Sequence, residues 1–311
     1  MDHSILVTGA TGGLGRRLVL DLAMRGASVL VGGRRPDAVN ALCAQIDRRT
    51  PGRAAPFVAD LSDLDAVRAA LDGLSGQSLG GIVTNAGIST TREDRSAQGY
   101  EITFAVNVLA HQLILCRLAS RVVDGGRIVV LSSGVHDPDN RLARSAGIPI
   151  PRWVGTRGQA LPETLPEDER LDSGPLRYST SKLTNVLQAR GLQSRLRDAG
   201  RDIDVFAVDP GLMIDTGLAR EVPVVLRMIL RPIGYLATPF VGNMRLSWVT
   251  SRMLTGLLLD DAWAGRGFAY LDGDHVRPPS PDARRDELVE ELWRDVLPLI
   301  GLTPGDLRWA A

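Results

Sequence analysis

The sequence predicts an α/β protein with a doubly wound parallel sheet. Short β-branched apolar runs alternate with longer amphipathic runs through the first two thirds of the 311 residues. This is the pattern of strands that are joined by helices and buried on both faces. The first apolar run also leads through a glycine-rich turn into a helix pattern, which is typical of folds that bind a phosphate group there.

The predicted strands are short runs rich in valine, isoleucine and leucine, at 4–8, 28–32, 55–59, 81–85, 127–132 and 203–208. Helical spacing of apolar residues predicts the helices between them, at 13–25, 36–49, 63–74, 97–122 and 178–199. A last strand at 267–271 precedes a polar, helical C-terminus. Because right-handed crossovers place helices on both faces of such a sheet, we expect a single Rossmann-type domain over 1–311.

One segment departs from the alternation of strands and helices. Residues 136–176 contain six prolines and little regular pattern. A loop of this length in a compact domain is typically a lid, a binding loop or a disordered segment. We predict a mobile lid over the substrate, and a surface loop without a role in turnover is the alternative. The helical, apolar region at about 212–260 is expected to line the substrate side.

Composition argues against several classes of function. The formal net charge is zero, so neither nucleic acid nor an anionic membrane is an expected partner. Cys43 and Cys116 lie in helix-like patterns, which argues against a disulfide framework, and no metal site is indicated. Two arginines and a proline interrupt the longest apolar candidate for a membrane span, 222–236. Because the chain begins directly with a strand, we expect a cytoplasmic protein without a signal peptide.

The turn after the first strand predicts a dinucleotide site. It reads Thr8-Gly9-Ala10-Thr11-Gly12-Gly13-Leu14-Gly15 and continues into a helix. Glycines allow the backbone to approach a pyrophosphate, and the helix N-terminus offers free N–H groups and a partial positive charge. A tight strand-to-helix connection without a ligand is the alternative. The residues expected to contact the cofactor are Gly9, Thr11, Gly12, Gly13, Leu14 and Gly15.

The end of the second strand indicates NADP(H) as the cofactor. An enzyme that prefers NAD would be expected to place an acidic side chain here, and this chain has Arg34 and Arg35. Two guanidinium groups can hold a 2′-phosphate through charge-assisted hydrogen bonds. After the third strand, Asp60 and Leu61 are expected beside the adenine, with capping of the following helix as the alternative for Asp60.

The only lysine in the chain is Lys182, and the other 35 of its 36 basic residues are arginine. It stands four residues after Tyr178, so both side chains lie on one helix face. A fixed ammonium there would favour tyrosinate and lower the pKa of the phenol, as a tyrosine acid/base catalyst requires. The alternative is that Tyr178 and Lys182 are a solvated pair without a role in catalysis, since such a pair can have the same spacing.

Several short motifs, in this order, resemble the short-chain dehydrogenase/reductase family over about residues 4–216. They are Thr8-Gly9-x-x-x-Gly13-x-Gly15, Asn85-Ala86-Gly87, Asn107, Ser133 after a strand, Tyr178-x-x-x-Lys182, and Pro210-Gly211. Each is weak alone, and their order on the expected strands and helices makes the resemblance specific.

The resemblance implies a role for each matching residue. Tyr178 would exchange a proton with the substrate oxygen, and Lys182 would lower the pKa of Tyr178 and bond the nicotinamide ribose. Ser133 would hold the carbonyl oxygen, with Ser132 in its place if the register is shifted by one. Asn107 would anchor a water that relays protons. Tyr178 and Lys182 are also implied to contact the cofactor, and further cofactor contacts are implied at Asn85, Ala86, Gly87, Pro210, Gly211 and Thr216.

Within that family the chain is most similar to the branch of retinol dehydrogenases and protochlorophyllide reductases. The stretch 210–221 and the long insertion before the tyrosine carry this similarity. The implied function is NADPH-dependent interconversion of a carbonyl and an alcohol on a bulky, rather apolar small molecule. A non-redox lyase or cyclase and an NADP(H)-binding sensor are the alternatives. A homodimer and a monomer both remain open, and His111, His136 and Cys116 are taken as structural.

Overall fold

The computed structural model describes residues 3–74, 76–213, 244–307 and 309, and the elements below refer to this part of the chain. Its strands are β1 (Ser4–Val7), β2 (Val29–Gly33), β3 (Ala54–Val58), β4 (Leu79–Thr84), β5 (Val122–Leu131), β6 (Asp204–Asp209), β7 (Leu212–Met213), β8 (Met244–Arg245), β9 (Phe268–Asp272) and β10 (His275–Arg277). Eight of them form one sheet in the order β10-β9-β6-β5-β4-β1-β2-β3, and β7 pairs with β8. Only β10 runs antiparallel to its neighbour in the large sheet.

The helices of the described residues are α1 (Gly13–Met24), α2 (Pro36–Arg49), α3 (Leu64–Asp72), α4 (Ile102–Phe104), α5 (Ala110–Leu118), α6 (Arg141–Ser145), α7 (Gly155–Ala160), α8 (Gly174–Asp198), α9 (Ser247–Leu259) and α10 (Asp286–Leu299). A π-helical turn, Ala105–Leu109, joins α4 to α5.

The core lies on both faces of the sheet, because side chains alternate along each strand. Ile5 and Val7 of β1 face the layer of α1, α2 and α9, whereas Leu6 faces the layer of α3, α5, α8 and α10. Parallel strands with helices on both faces form a Rossmann-type, doubly wound sheet. The predicted fold class is therefore confirmed.

The structure departs from the prediction at one helix boundary and at one strand that the sequence did not indicate. The helix predicted at 97–122 begins at Ile102, because Gly99 has a φ of 82° and Glu101 caps the helix with its side chain. Strand β10 was not predicted, since its three residues are exposed and show no alternation of apolar and polar side chains. Edge strands need little apolar character because one of their sides is open to solvent.

The run Ile102–Arg121 is, among the described residues, long and apolar enough to cross a membrane. However, 89% of the window that meets this criterion is buried inside the protein. It packs between the sheet and the neighbouring helices α3 and α8 as a core helix of the fold.

The insertion 136–176 contains α6 and α7 and is partly anchored to the body of the protein. The Trp153 Nε1–H donates to Glu291 Oε2 at 3.0 Å, and the Thr184 hydroxyl donates to Gln159 Oε1 at 3.0 Å. The Ala160 carbonyl accepts from the Glu101 N–H at 2.9 Å. The second half of the insertion is thus packed on α8 and α10, and the first half, which includes α6, has fewer such contacts.

Candidate active site

The turn between β1 and α1 has the geometry that its glycines predict. Gly9 and Gly13 have φ angles of 65° and 52°, a conformation that other residues rarely adopt. A Cβ at Gly15 would lie 2.5 Å from the Gly9 carbonyl oxygen, so the helix and the turn approach closely. The first turn of α1 carries no acidic side chain. The positive end of this helix is therefore available to an anion.

Arg34 and Arg35 lie between β2 and α2 with exposed side chains. Gly33 brings this end of β2 against the glycine-rich turn, since a Cβ there would lie 2.8 Å from Thr11 Cγ2. Among the described residues, neither guanidinium has an ion-pair or hydrogen-bond partner. Two unpaired cations beside a phosphate-binding type of turn suit a second phosphate group.

Asp60 and Leu61 follow β3, and the Asp60 side chain is exposed. Its carboxylate accepts from the Ser62 N–H at 2.9 Å and from the Ser62 hydroxyl at 2.7 Å. Asp63 caps α3 by accepting from the Asp65 N–H. The alternative role of Asp60 as the cap of that helix is therefore wrong, and its contact with adenine stays a prediction.

Asn85, Ala86 and Gly87 follow β4 and hold the glycine-rich turn in place. The Thr8 hydroxyl accepts from the Asn85 and Ala86 N–H groups, both at 3.0 Å. Asn85 Nδ2 in turn donates to the Thr8 carbonyl oxygen at 2.7 Å. The first and fourth strands thus end in one hydrogen-bonded unit, which positions the turn relative to the centre of the sheet.

His111 connects this unit to the helix that carries Asn107. Its Nε2 lies 3.0 Å from Thr8 Oγ1, and its Nδ1 lies 3.2 Å from the Asn107 carbonyl oxygen. A carbonyl oxygen only accepts, so Nδ1 carries the proton and Nε2 accepts from the Thr8 hydroxyl. Burial lowers the pKa of His111 to about 4, which keeps the ring neutral. His111 is structural, as expected, and it braces the site.

Asn107 lies in the π-helical turn, a kind of distortion that frequently occurs at functional sites. Its side chain accepts from the Ile88 N–H at 2.8 Å and donates to the Ile88 carbonyl and to Ser181 Oγ, each at 3.0 Å. A Cβ at Gly87 would lie 3.4 Å from Asn107 Oδ1 and 3.7 Å from Lys182 Nζ. The three predicted residues Gly87, Asn107 and Lys182 therefore lie together.

Tyr178 and Lys182 lie one turn apart near the start of α8, as predicted. Lys182 Nζ is 5.6 Å from the centre of the Tyr178 ring. It donates to the Leu131 carbonyl and to Asn185 Oδ1, both at 3.1 Å, and Lys182 is only 5% exposed. The ammonium is thus fixed between α8 and the end of β5.

The geometry favours Ser133 over Ser132 as the serine of the site. The Ser132 hydroxyl is buried and donates to the Lys182 carbonyl at 2.7 Å. Ser133 is half-buried and close enough to Tyr178 to lower the pKa of its phenol. His136 Nδ1–H donates to the Ser133 carbonyl at 2.8 Å and so fixes the backbone there. This contact gives His136 a structural role, as expected.

Burial changes the proton affinity of both central groups. The pKa of Lys182 is lowered to about 8 by burial. The pKa of Tyr178 is raised, first by burial and then by the nearby carboxylate of Asp209, and Ser133 offsets only part of this rise. The sequence led us to expect a lowered pKa for Tyr178 from Lys182. That expectation is corrected, because the loss of hydration and the Asp209 charge outweigh the ammonium.

Pro210 and Gly211 follow β6 in a turn that Asp209 stabilises. Gly211 has a φ of 78°, and its N–H donates to Asp209 Oδ1 at 2.9 Å. The Thr250 hydroxyl donates to the Pro210 carbonyl at 3.1 Å. Thr216 and residues 214–243 of the expected substrate-side region lie outside the described residues.

Sequence reasoning missed two residues that contact the predicted ones. Asn185 holds Lys182 through Oδ1, and its Nδ2 donates to the Asn107 carbonyl at 2.8 Å. Asp209 is 3% exposed and acts electrostatically on both Tyr178 and Lys182. The available signals were an asparagine one turn after the lysine and an acidic residue that ends an apolar strand.

The two cysteines lie away from these residues and are free, buried thiols. Burial raises the pKa of both, to about 12 for Cys116, which makes them poor nucleophiles. Among the described residues, no group of three His, Cys, Asp or Glu side chains could hold a metal ion.

Comparison with known proteins shows which family the chain is similar to. A family model described as short chain dehydrogenase matches residues 3–140. Dehydrogenase/reductase SDR family member 13 of Bos taurus is 29% identical over 309 residues, which cover 98% of this chain and 74% of that protein. Retinol dehydrogenase 12 of Homo sapiens is 28% identical over 315 residues, 98% of this chain and 87% of that protein.

Two solved structures resemble the whole fold. An uncharacterized protein from Mycobacterium Paratuberculosis is 26% identical with a TM-score of 0.69, covering 96% of this chain and 94% of that one. The angucycline C-6 ketoreductase LanV, solved with bound NADP, is 25% identical with a TM-score of 0.63, covering 88% of this chain and 95% of that one. In its fold and its sequence this chain is similar to members of the short-chain dehydrogenase/reductase family, the retinol dehydrogenases among them.

Proposed function

We propose that the protein is an NADPH-dependent oxidoreductase that interconverts a carbonyl and an alcohol on a bulky, rather apolar small molecule. The observation that carries the proposal is the meeting of Tyr178, Ser133 and Lys182 at the carboxyl end of β5. Ser133 lies close enough to the phenol to lower its pKa, and the ammonium lies 5.6 Å from the phenol ring. The similarity to a retinol dehydrogenase and to an NADP-bound angucycline ketoreductase supports both the chemistry and the size of the proposed substrate.

The residues present fit the proposed cofactor. The positive φ angles and close approach at Gly9, Gly13 and Gly15 leave room where a side chain would block a pyrophosphate. The unpaired guanidiniums of Arg34 and Arg35 would hold the 2′-phosphate of NADPH and favour it over NADH. Bound NADPH would supply a hydride to the carbonyl carbon, and NADP⁺ would accept one in the reverse direction.

The side chains would handle the proton. In reduction, the Tyr178 phenol donates its proton to the substrate oxygen while the Ser133 hydroxyl donates a hydrogen bond to the same atom. The raised pKa of Tyr178 keeps the phenol protonated at neutral pH, which favours its action as an acid. Among the described residues, Asn107 Oδ1 accepts one hydrogen bond, so its second lone pair, near Lys182, can hold a water that returns the proton.

Steady-state reduction of aryl ketones such as 4-ethylacetophenone, followed by loss of NADPH absorbance, tests the proposal. Tyr178→Phe should reduce kcat by at least about a hundredfold, because only the acidic proton is removed. The dissociation constant for NADPH, measured by fluorescence titration, should stay within about twofold, since the cofactor contacts proposed above do not need that hydroxyl.

Two results would contradict the proposal. If Tyr178→Phe keeps wild-type turnover, the phenol is not the acid. If NADPH binds but no ketone or alcohol in a broad panel changes its redox state, a non-redox enzyme or a sensor explains the site better. Conversion of a substrate without oxidation of NADPH would identify the protein as a non-redox enzyme.

A further inference from the structure

A cavity of about 270 Å³ lies at the carboxyl ends of β6 and β9, beside the candidate active site. Its inner wall includes Gly134, which directly follows Ser133, together with Asp209 and Tyr270. Asp137, Asn140 and Asp272 line its sides, and the exposed residues Leu142, Arg277 and Pro278 lie at its outer end. The cavity therefore lies next to the segment that carries Ser133 and is open to solvent at its outer end.

Asp209 provides a buried carboxylate in this wall. It is 3% exposed, and its Oδ1 accepts from the Gly211 N–H at 2.9 Å. Among the described residues, no cation lies within ion-pair distance of it, whereas Arg277 pairs with Asp272 at 3.3 Å. Burial raises the pKa of Asp209, as expected for a carboxylate without a counter-ion. A bound cation would supply what this carboxylate lacks.

Tyr270 gives an independent indication of a ligand. It is 6% exposed, its ring is held against His136 with the centroids 5.0 Å apart, and it lines the cavity. Within the described part of the chain, its hydroxyl has no hydrogen-bond partner. The hydroxyl itself is accessible from the cavity, where a ligand could donate a hydrogen bond to it. Asp272 Oδ1 is also buried without a hydrogen bond, but Arg245 lies 3.8 Å from it as an ion-pair partner. Of these oxygens, the Tyr270 hydroxyl is therefore the acceptor in this wall that has no partner in the described part of the chain.

We propose that this cavity binds a protonated amine, with Asp209 as its counter-ion and the Tyr270 hydroxyl as a hydrogen-bond acceptor. An ammonium group has three donors and a compact charge, which match one carboxylate and further oxygen acceptors in a small space. The volume suits one functional group and not a whole bulky molecule. The further step, that this amine is part of the substrate, rests on the proposed function. The substrate would then be an amino ketone or an amino alcohol.

A matched pair of ketones tests the site. The probes are 4-acetylbenzylamine and 4-ethylacetophenone, which have the same shape and differ by an ammonium in place of a methyl group. Calorimetry measures their binding to the full chain, with and without saturating NADP⁺. The wild-type protein should prefer the amine by roughly tenfold to a hundredfold, the range for a charge-assisted hydrogen bond.

Three variants locate the preference. Asp209→Asn keeps an oxygen that can accept from the Gly211 N–H and should abolish the preference. Tyr270→Phe should reduce it by a few-fold while leaving the binding of 4-ethylacetophenone unchanged. Asp274→Asn alters an exposed carboxylate outside the cavity and should keep the full preference, which controls for the overall charge.

Equal affinity of the two probes for the wild-type protein would overturn the inference, as would a preference that survives Asp209→Asn. If Asp209→Asn fails to fold by circular dichroism, the Tyr270→Phe result decides, and an unchanged preference there rejects the site. The proposed function is judged separately by turnover of 4-ethylacetophenone. If the protein reduces 4-ethylacetophenone but does not prefer the amine, the amine site is rejected and the proposed function stands. If it prefers the amine but reduces no ketone, the reductase function is rejected and the amine site stands.

Discussion

At the scale of single residues, Lys182 combines a specific position with an altered proton affinity. Its ammonium donates to the Leu131 carbonyl and to Asn185, and burial lowers its pKa to about 8. Arginine would stay charged at every accessible pH and would need partners for five donors. The retention of one lysine among 36 basic residues fits a site that needs a compact cation.

The pH dependence of ketone reduction should follow Lys182. Its pKa in the folded protein is about 8, so the ammonium is present below that pH and is lost as the pH rises through it. Tyr178 remains protonated over this range because its pKa is raised. We expect kcat/KM for reduction to be level below about pH 7 and to fall above about pH 8.

Lys182→Arg is the matched variant for this profile. Its guanidinium does not titrate, so the fall near pH 8 should disappear, and kcat/KM should be lower by at least about tenfold because the fork does not fit the buried site. A wild-type rate that increases between about pH 8 and pH 10 would contradict the assignment. Full activity of Lys182→Arg would also contradict it.

Arg34 and Arg35 should determine the choice of cofactor. Replacing both with alanine should weaken NADPH binding by about 1.5–3 kcal/mol for each charged hydrogen bond lost, and leave NADH binding unchanged. Fluorescence titration with both nucleotides measures this difference. As a control, Arg48→Ala at the far end of α2 should leave both affinities unchanged. If the binding of both nucleotides is weakened equally, or if the wild-type protein prefers NADH, these arginines do not bind the 2′-phosphate.

At the scale of elements, a buried ion pair joins the two helices that carry the site. Arg177 Nε lies 3.3 Å from Glu101 Oε1, and their side chains are 6% and 8% exposed. Glu101 also caps α4 by accepting from two backbone N–H groups, and Arg177 directly precedes Tyr178. The pair thus sets the start of α8 relative to the helix that carries Asn107.

Glu101→Gln should be strongly destabilising, because it leaves the Arg177 charge buried without its partner. We expect a loss of about 3–5 kcal/mol in the free energy of unfolding, measured by urea denaturation. Glu163→Gln removes an exposed partner of Arg95 and should cost at most about 1 kcal/mol. Similar small losses in both variants would mean that the buried pair does not hold these helices together.

The insertion divides into two parts with different expected roles. Residues 151–176 are anchored through Trp153, Gln159 and Ala160, so we assign the proposed lid to the first part, which contains α6. Leu142, which lines the cavity, is 37% exposed, and Ile150 in the same part is 55% exposed, so both offer apolar surface to a ligand. Closure over a substrate would bury them and exclude water from the hydride path.

Replacing residues 140–150 with a Gly/Ser linker of equal length should raise KM for ketones several-fold and leave the NADPH affinity unchanged. In the wild-type protein, tryptic cuts at Arg141 and Arg144 should slow with NADPH plus a ketone more than with NADPH alone. Trp153→Phe is the control for the anchored part, and it should lower Tm without changing KM. Unchanged kinetics in the linker variant would assign substrate contacts to other segments.

At the scale of the whole molecule, the sheet brings distant parts of the chain to one edge. Ser133, Asp209 and Tyr270 come from strands that are far apart in sequence, yet β5, β6 and β9 are neighbours. Ligands of open α/β sheets bind at the carboxyl ends of the strands, because loops there converge around the helix N-termini. Both the proposed catalytic site and the proposed amine site follow from this arrangement.

The sequence alone determined the fold class, indicated the resemblance to the short-chain dehydrogenase/reductase family, and named the residues that meet near Tyr178. Local signals sufficed for these, because strand and helix periods, glycine turns and the Tyr178-x-x-x-Lys182 spacing depend only on neighbouring residues. Only the tertiary structure decided the choice between Ser132 and Ser133, the raised pKa of Tyr178 and the role of Asp209. These three features depend on burial and on charged side chains that the sheet brings close together. The spacing of residues along the sequence does not show which side chains are buried or which charges are neighbours.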